Sequence, residues 1–187
     1  MRTIPSAVSF LLLLGCAGER PAPSSQTVVP DSFLVRDRQL GDSLVRAALA
    51  ENGARLEYRW VTRLDSIRPS EARAVFDPEM RRWLVLNDTV AMDLSQATGV
   101  DVGQSSGGTA VTLRLNMSSG DRLISTTNRH LGSHLAAVLN GHLIVAPAPI
   151  VRTPLAGNLL VVMSVDSTVA SELAGRLRTA LRRSSRP

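Results

Sequence analysis

Residues 134–150 read "HLAAVLNGHLIVAPAPI", and no other stretch constrains the fold as tightly. Two apolar runs flank Asn140-Gly141. A type I′ hairpin turn needs positive φ at both central positions, and Asn and Gly adopt it at least cost. A two-residue loop pairs Leu139 with His142 and Val138 with Leu143. It puts Ala136, Val138, Leu143 and Val145 on one face, and Leu135, Ala137, Leu139 and Ile144 on the other. Both faces are apolar, so the hairpin needs cover on both sides. Pro147 and Pro149 have no amide donor, so the second strand ends there or continues as a sheet edge.

The remaining elements follow from periodicity and punctuation. Leu40, Leu44, Val45, Ala48 and Leu49 recur at helical spacing, which predicts a helix over 38–52 capped by Gly53. "LEYRWV" (56–61) and "RWLVLND" (82–88) read as strands, with a short helix over 70–75 between Pro69 and Pro78. "MDLSQATG" (92–99) reads as one or two helical turns ended by Gly99, and "GQSSGG" (103–108) as a loop. "TAVTLRLN" (109–116) alternates as a strand. Ser118 then offers a helix cap, followed by an inner stripe of Leu123, Ile124, Thr127 and Leu131 closed by Gly132. After the hairpin, 154–158 is a turn and 159–165 a strand. A helix over 168–182 carries Val169, Leu173, Leu177 and Leu181, with Arg178, Arg182 and Arg183 complementing its dipole. The order β-α-β-β-β-α gives an α+β fold, a small antiparallel sheet with helices packed on one face.

At 187 residues there is room for one domain. Every one of its 21 basic residues is arginine, but the net charge is only +5, which bears on solubility more than on partners. The basic clusters lack the interleaved aromatics that stack bases, so nucleic acid is not an expected partner. The N-terminus "MRTIPSAVSFLLLLGCAG" has one cation and an apolar run too short to span a bilayer, as in a signal peptide. Leu13-Leu14-Gly15-Cys16 resembles the lipobox of bacterial lipoproteins, which implies removal of 1–15 and acylation of Cys16. Acyl chains anchor without spanning, and the only cysteine is then consumed. Ala17, where an aspartate would retain the protein at the inner membrane, slightly favours the outer one. Residues 16–37 form the lipidated cysteine and a Pro/Ser-rich tether, 38–183 the folded domain and 184–187 a disordered tail.

The stretch "NRHLGSHLAAVLNGHLIVAPAPIVRTPLAG" resembles the head part of the first periplasmic domain of SecD, a component of the bacterial protein-export machinery. The shared residues are His130-Leu131-Gly132, Leu135–Gly141 and Ala148-Pro149-Ile150. "LEYRWV", "VAMDLSQA" (90–97), "TAVTLRLN" and the closing helix follow in the same order, so the resemblance covers 56–182. Gly132-Ser133-His134 departs from the family's Gly-Lys-Arg, and about two extra residues precede Ala148-Pro149. The resemblance implies a periplasm-facing head module on a lipid anchor, linked to protein export, whose partner is a polypeptide or a protein.

Candidate chemistry is thin. His130 and His134 stand four apart, but Gly132 separates them and no acid or cysteine joins them, so no metal is expected. His142 falls at the hairpin tip. No G-x-S-x-G surrounds a serine near Asp93, Asp101 or Asp121, so no enzyme is expected and no cofactor. Glu57 and Asp65 read as surface residues of a strand, and Trp60 and Trp83 as core. The partner-binding stretch is expected at Leu143, Val145, Pro147, Pro149 and Val151, by strand addition to an edge the prolines only partly blunt. Two alternatives stand beside it: an assembly lipoprotein without peptide affinity, and a small-molecule or metal sensor around the histidines.

Overall fold

The computed structural model describes residues 38–184 apart from 72, 106–107 and 157–158. The signal segment, Cys16, the tether and residues 185–187 lie outside the described residues. In chain order the elements are α1 (Arg38–Ala50), β1 (Leu56–Asp65), β2 (Ala74–Asp77), β3 (Arg82–Asp93) and a 3-10 turn (Leu94–Gln96). Then come β4 (Ala97–Ser105), β5 (Gly108–Leu115), α2 (Met117–Arg129), β6 (Leu135–Leu139), β7 (His142–Leu143), β8 (Leu159–Val165) and α3 (Ser167–Ser184). The α+β class and the order of the C-terminal half are as expected. The strands, however, divide between two antiparallel sheets, β2-β3-β1-β6-β7 and β4-β5-β8. No helix among the described residues is long and apolar enough to cross a membrane.

The hairpin forms with the expected register, Leu139 opposite His142 and Val138 opposite Leu143. Asn140 and Gly141 sit at φ 51° and 85°. All five residues of β6 are buried. On one face Leu135, Ala137 and Leu139 join Tyr58 and Trp60 of β1, Val111 and Leu113 of β5, Val45 of α1 and Leu173 of α3 in the main core. On the other, Ala136 and Val138 join Leu143, Val75, Leu84 and Leu86 in a second core, against which Leu40 and Leu44 of α1 rest. The cover expected on both sides is thus present, and α1 serves both cores.

Past Ile144 the expected facing fails. Ile144 still donates to the Ala137 carbonyl (3.0 Å), but the chain then leaves the ladder. Val145 turns into the main core instead of the second one. The detour passes the cis Ala146–Pro147 peptide. The chain returns at Pro149, whose carbonyl accepts from Leu135 N (2.9 Å), and Val151 N donates to Ser133 O (2.9 Å). The prolines therefore mark an excursion within one sheet edge, with pairing to the same neighbour on either side of it.

Asp77 holds that excursion. Its carboxylate is buried and accepts from Glu79 N and Met80 N (both 3.0 Å) and, on its other oxygen, from Ala148 N (2.8 Å). The bond to Ala148 draws the end of β2 toward the β7 side and curls the five-stranded sheet around the second core.

Other departures have local causes. The expected helix over 70–75 gives way to β2, paired to β3. β3 runs on past Asn87-Asp88 because a bulge absorbs those turn-forming residues: Arg59 faces Val90 while Val61 faces Leu86. At 92–99 Asp93 caps a single 3-10 turn by accepting from Ser95 N (2.9 Å), and β4 begins at Ala97. Gly99 is no terminator; a Cβ there would lie 3.2 Å from the Arg114 guanidinium. The expected loop at 103–108 is mostly strand, closing with Ser105 opposite Gly108. Asn116, not Ser118, caps α2, accepting from Ser119 N (2.7 Å). Leu123 and Thr127 face inward as expected, whereas Ile124 and Leu131 are exposed. Ser184, expected to begin the tail, instead ends α3.

Replacing Asp77 by alanine leaves the buried Ala148 amide unpaired and should cost about 3 kcal/mol. The loss is read as a lower urea midpoint at unchanged slope, and an unchanged midpoint would show that the clasp carries no load.

Candidate functional site

The side chains expected to meet a partner are largely interior. Leu143, Val145 and Val151 are 3, 2 and 1 % exposed, Pro149 is buried and Pro147 half-buried. The physical reason is the double-sided packing of β6, which draws its neighbours inward on both faces. A docking strand would not reach these side chains.

An open cleft of about 550 Å³ lies nearby, at the mouth between β2 and the hairpin tip. Val75, Leu86 and Val138 supply apolar lining, and Glu51, Arg55, Glu57, Arg59 and Arg73 the charged lining. Residues 55, 57 and 59 share a face because side chains alternate along a strand. Glu57 takes Arg55 Nε on one oxygen and Arg59 Nε on the other, both at 2.6 Å. Arg59 is buried, and its Nη1 donates to the carbonyls of Asn87 (2.8 Å) and Asp88 (2.7 Å) in the β3 bulge. Arg73 approaches from the start of β2, donating Nη1 to Asp88 O (2.7 Å) and pairing with its carboxylate (3.0 Å). Partial burial pushes the Glu57 carboxyl up, but the hydrogen bonds from Arg59 and Arg55 outweigh it and hold the group below its ordinary range. Glu57 is therefore no plain surface residue, as expected of it, but the pivot between two guanidiniums. Asp65 lies at the far end of β1, paired with exposed Arg63 (2.7 Å).

One wall of the cleft is the edge of β2. Leu86 N donates to Arg73 O (2.9 Å), and the register pairs 75 with 84 and 77 with 82. Bonded and non-bonded pairs alternate in an antiparallel ladder. The N–H and C=O of Ala74 and Phe76 therefore point away from β3, and Ala74 lines the cleft.

The hairpin tip forms the opposite wall and is tied to α1. Asn140 Oδ1 accepts from Arg55 N (2.8 Å), and its Nδ2 donates to the carbonyls of Ala48 (3.0 Å) and Gly53 (3.3 Å). Its backbone N–H donates to Arg55 O (2.9 Å).

The histidines do not converge. His130 ends α2, holds Thr126 O with Nδ1 (2.9 Å) and stacks on Trp60 at 4.4 Å between centroids. His134 bridges to Ile150 and gives its Nδ1 to Ala148 O (2.7 Å). His142 is exposed. Trp60 is core, as expected. Trp83 is half-buried instead, with Phe76 tilted against it at 5.3 Å and Arg68 above its ring at 5.2 Å. Phe76, Leu64 and Ile67 are exposed.

Fold and cleft together define a small α+β head module that carries an open strand edge beside a charged cleft. By sequence, residues 70–182 match the family of the SecDF P1 head subdomain, and the chain belongs to that family. Two solved structures share its fold. One is described as "Structure and function of a membrane component SecDF that enhances protein export". It is 19% identical, with a TM-score of 0.52, over 78% of this chain and 71% of that one. The other, SecDF in its "Super-membrane-facing form", is 19% identical with a TM-score of 0.53, over 75% of this chain. This chain spans only 21% of that one. No curated protein matches the chain by sequence.

The arginine cleft went unread in the sequence, although the alternation "ARLEYRW" already set two guanidiniums astride a carboxylate. Glu57 supports the fold only while ionised. Its contribution is complete above the ordinary value of 4.5 and is lost as pH falls through its lower folded value. Glu57→Gln should therefore melt below the wild type near neutral pH, and the gap should close in strong acid. A gap independent of pH would show that the carboxylate charge is irrelevant.

Proposed function

We propose that this chain is a non-enzymatic, lipid-anchored protein of the bacterial cell envelope, facing the periplasm, whose head module binds extended polypeptide in connection with protein export. The family match over 70–182 carries this reading, because the related solved structure is of a membrane component that enhances protein export. The geometry supports it at the β2 edge. Ala74 and Phe76 offer backbone groups that β3 does not use, beside apolar Val75 and Leu86. Extended chains add to such edges, main-chain bonds giving affinity and side-chain pockets giving selection. The proposed docking edge is β2 in place of 143–151, most of whose side chains are buried. The lipobox-like Leu13-Leu14-Gly15-Cys16 supports the anchor, since more than one acyl chain on that cysteine would give stable attachment without a spanning helix.

Photocrosslinkers at positions 74 and 76 should capture exported precursors in cells, and one at exposed Thr179 of α3 should not. Equal capture from all three positions, or none, would remove the edge from the mechanism. A flat titration with unfolded chains together with a stable homo-oligomer would favour an assembly role. Cys16→Ser should abolish incorporation of labelled palmitate and release the protein from membranes. A variant that stays membrane-bound would sink the anchor.

A further inference from the structure

We propose that the cleft selects carboxylate-bearing segments of the polypeptide it binds. This rests on the polypeptide-binding reading of the same cleft and adds the chemistry of the occupant.

The lining is rich in unspent donors. Arg55 and Arg59 each give Nε to Glu57, which uses one oxygen for each. Arg59 gives Nη1 to two carbonyls, and Nη2 has no hydrogen bond among the described residues. No buried side-chain nitrogen or oxygen there lacks a partner, so Nη2 of this otherwise buried residue opens to the cleft. Arg55 keeps both Nη groups, and Arg73, which spends Nη1 on Asp88, keeps Nε and Nη2.

Two carboxylates line the cleft with these donors: Glu57, whose oxygens are both engaged, and exposed Glu51, whose carboxylate bonds none of the three arginines. Asp88 takes only Nη1 of Arg73, so the three guanidiniums keep N–H groups without an acceptor among the described residues. One of them is fixed by burial, so little side-chain freedom is lost when a ligand arrives. The complementary ligand is a planar carboxylate, which accepts two N–H bonds from a guanidinium fork. A strand added at Ala74 and Phe76 turns alternate side chains to one face. Arg73 and Val75 share one face of β2, so an acidic residue near Arg73 would be followed two positions on by one over Val75.

The test is a titration of the purified full-length protein, in detergent, with unstructured peptides that differ only in carrying Glu, Gln or Lys at alternate positions. The Glu peptide should bind about tenfold tighter than the Gln peptide, and the Lys peptide weakest. The preference should shrink as added salt shortens the screening length from about 10 Å to about 3 Å. The double variant R55Q/R73Q, both positions exposed, should bind the Glu and Gln peptides alike. Equal binding of Glu and Gln peptides, or a preference that survives in the double variant, overturns the selection and leaves the polypeptide reading standing. Failure of every peptide to bind wild type overturns both.

Discussion

A strand with water on neither face dictates its surroundings, and β6 is such a strand. Its odd-numbered side chains need one apolar layer and its even-numbered ones another, so the fold has two cores sharing a single wall. The β4-β5-β8 sheet with α3 closes the first. No second sheet remains for the other, and the five-stranded sheet has to bend over its own free face. Burial of apolar surface at about 25 cal/mol per Å² drives the bend, but it is non-directional and does not say which edges should approach.

Direction comes from polar groups. Asp77 and Ala148 are 71 residues apart and fix where β2 ends against the proline excursion. Arg59 plays the matching part on the other strand, gathering the bulge carbonyls of Asn87 and Asp88 onto one guanidinium. A buried carboxylate with three amide donors is satisfied, and the buried guanidinium has its charge paired with a carboxylate and two carbonyls, as buried charges must be. The same closure leaves a mouth where the sheet does not meet itself, and there the open backbone of β2 and the arginine forks lie side by side.

What the sequence discloses divides along these lines. The Asn-Gly turn, the pairing beside it and the two-sided cover were legible, because turn chemistry and alternation are local. Val145 departs because the alternation ends at Ile144, beyond which a distant aspartate takes control of the path. Asn87-Asp88 read as a strand end because turn-forming residues look alike in a bulge and in a loop. The cleft was hidden for a related reason: Arg73 lies within the segment 70–75 expected to be helical, so nothing placed it near Arg55 and Arg59.

The junction at Asn140 has a further consequence, of covalent ageing. Its amide nitrogen faces the carbonyls of Ala48 and Gly53, and its amide oxygen serves Arg55 N. Hydrolysis of that one amide to a carboxylate would turn a donor into an acceptor opposite two carbonyl oxygens. Exchange of one nitrogen, lost as ammonia, for one oxygen from water would then unpin the hairpin tip from α1 and loosen one wall of the cleft, with the backbone still intact.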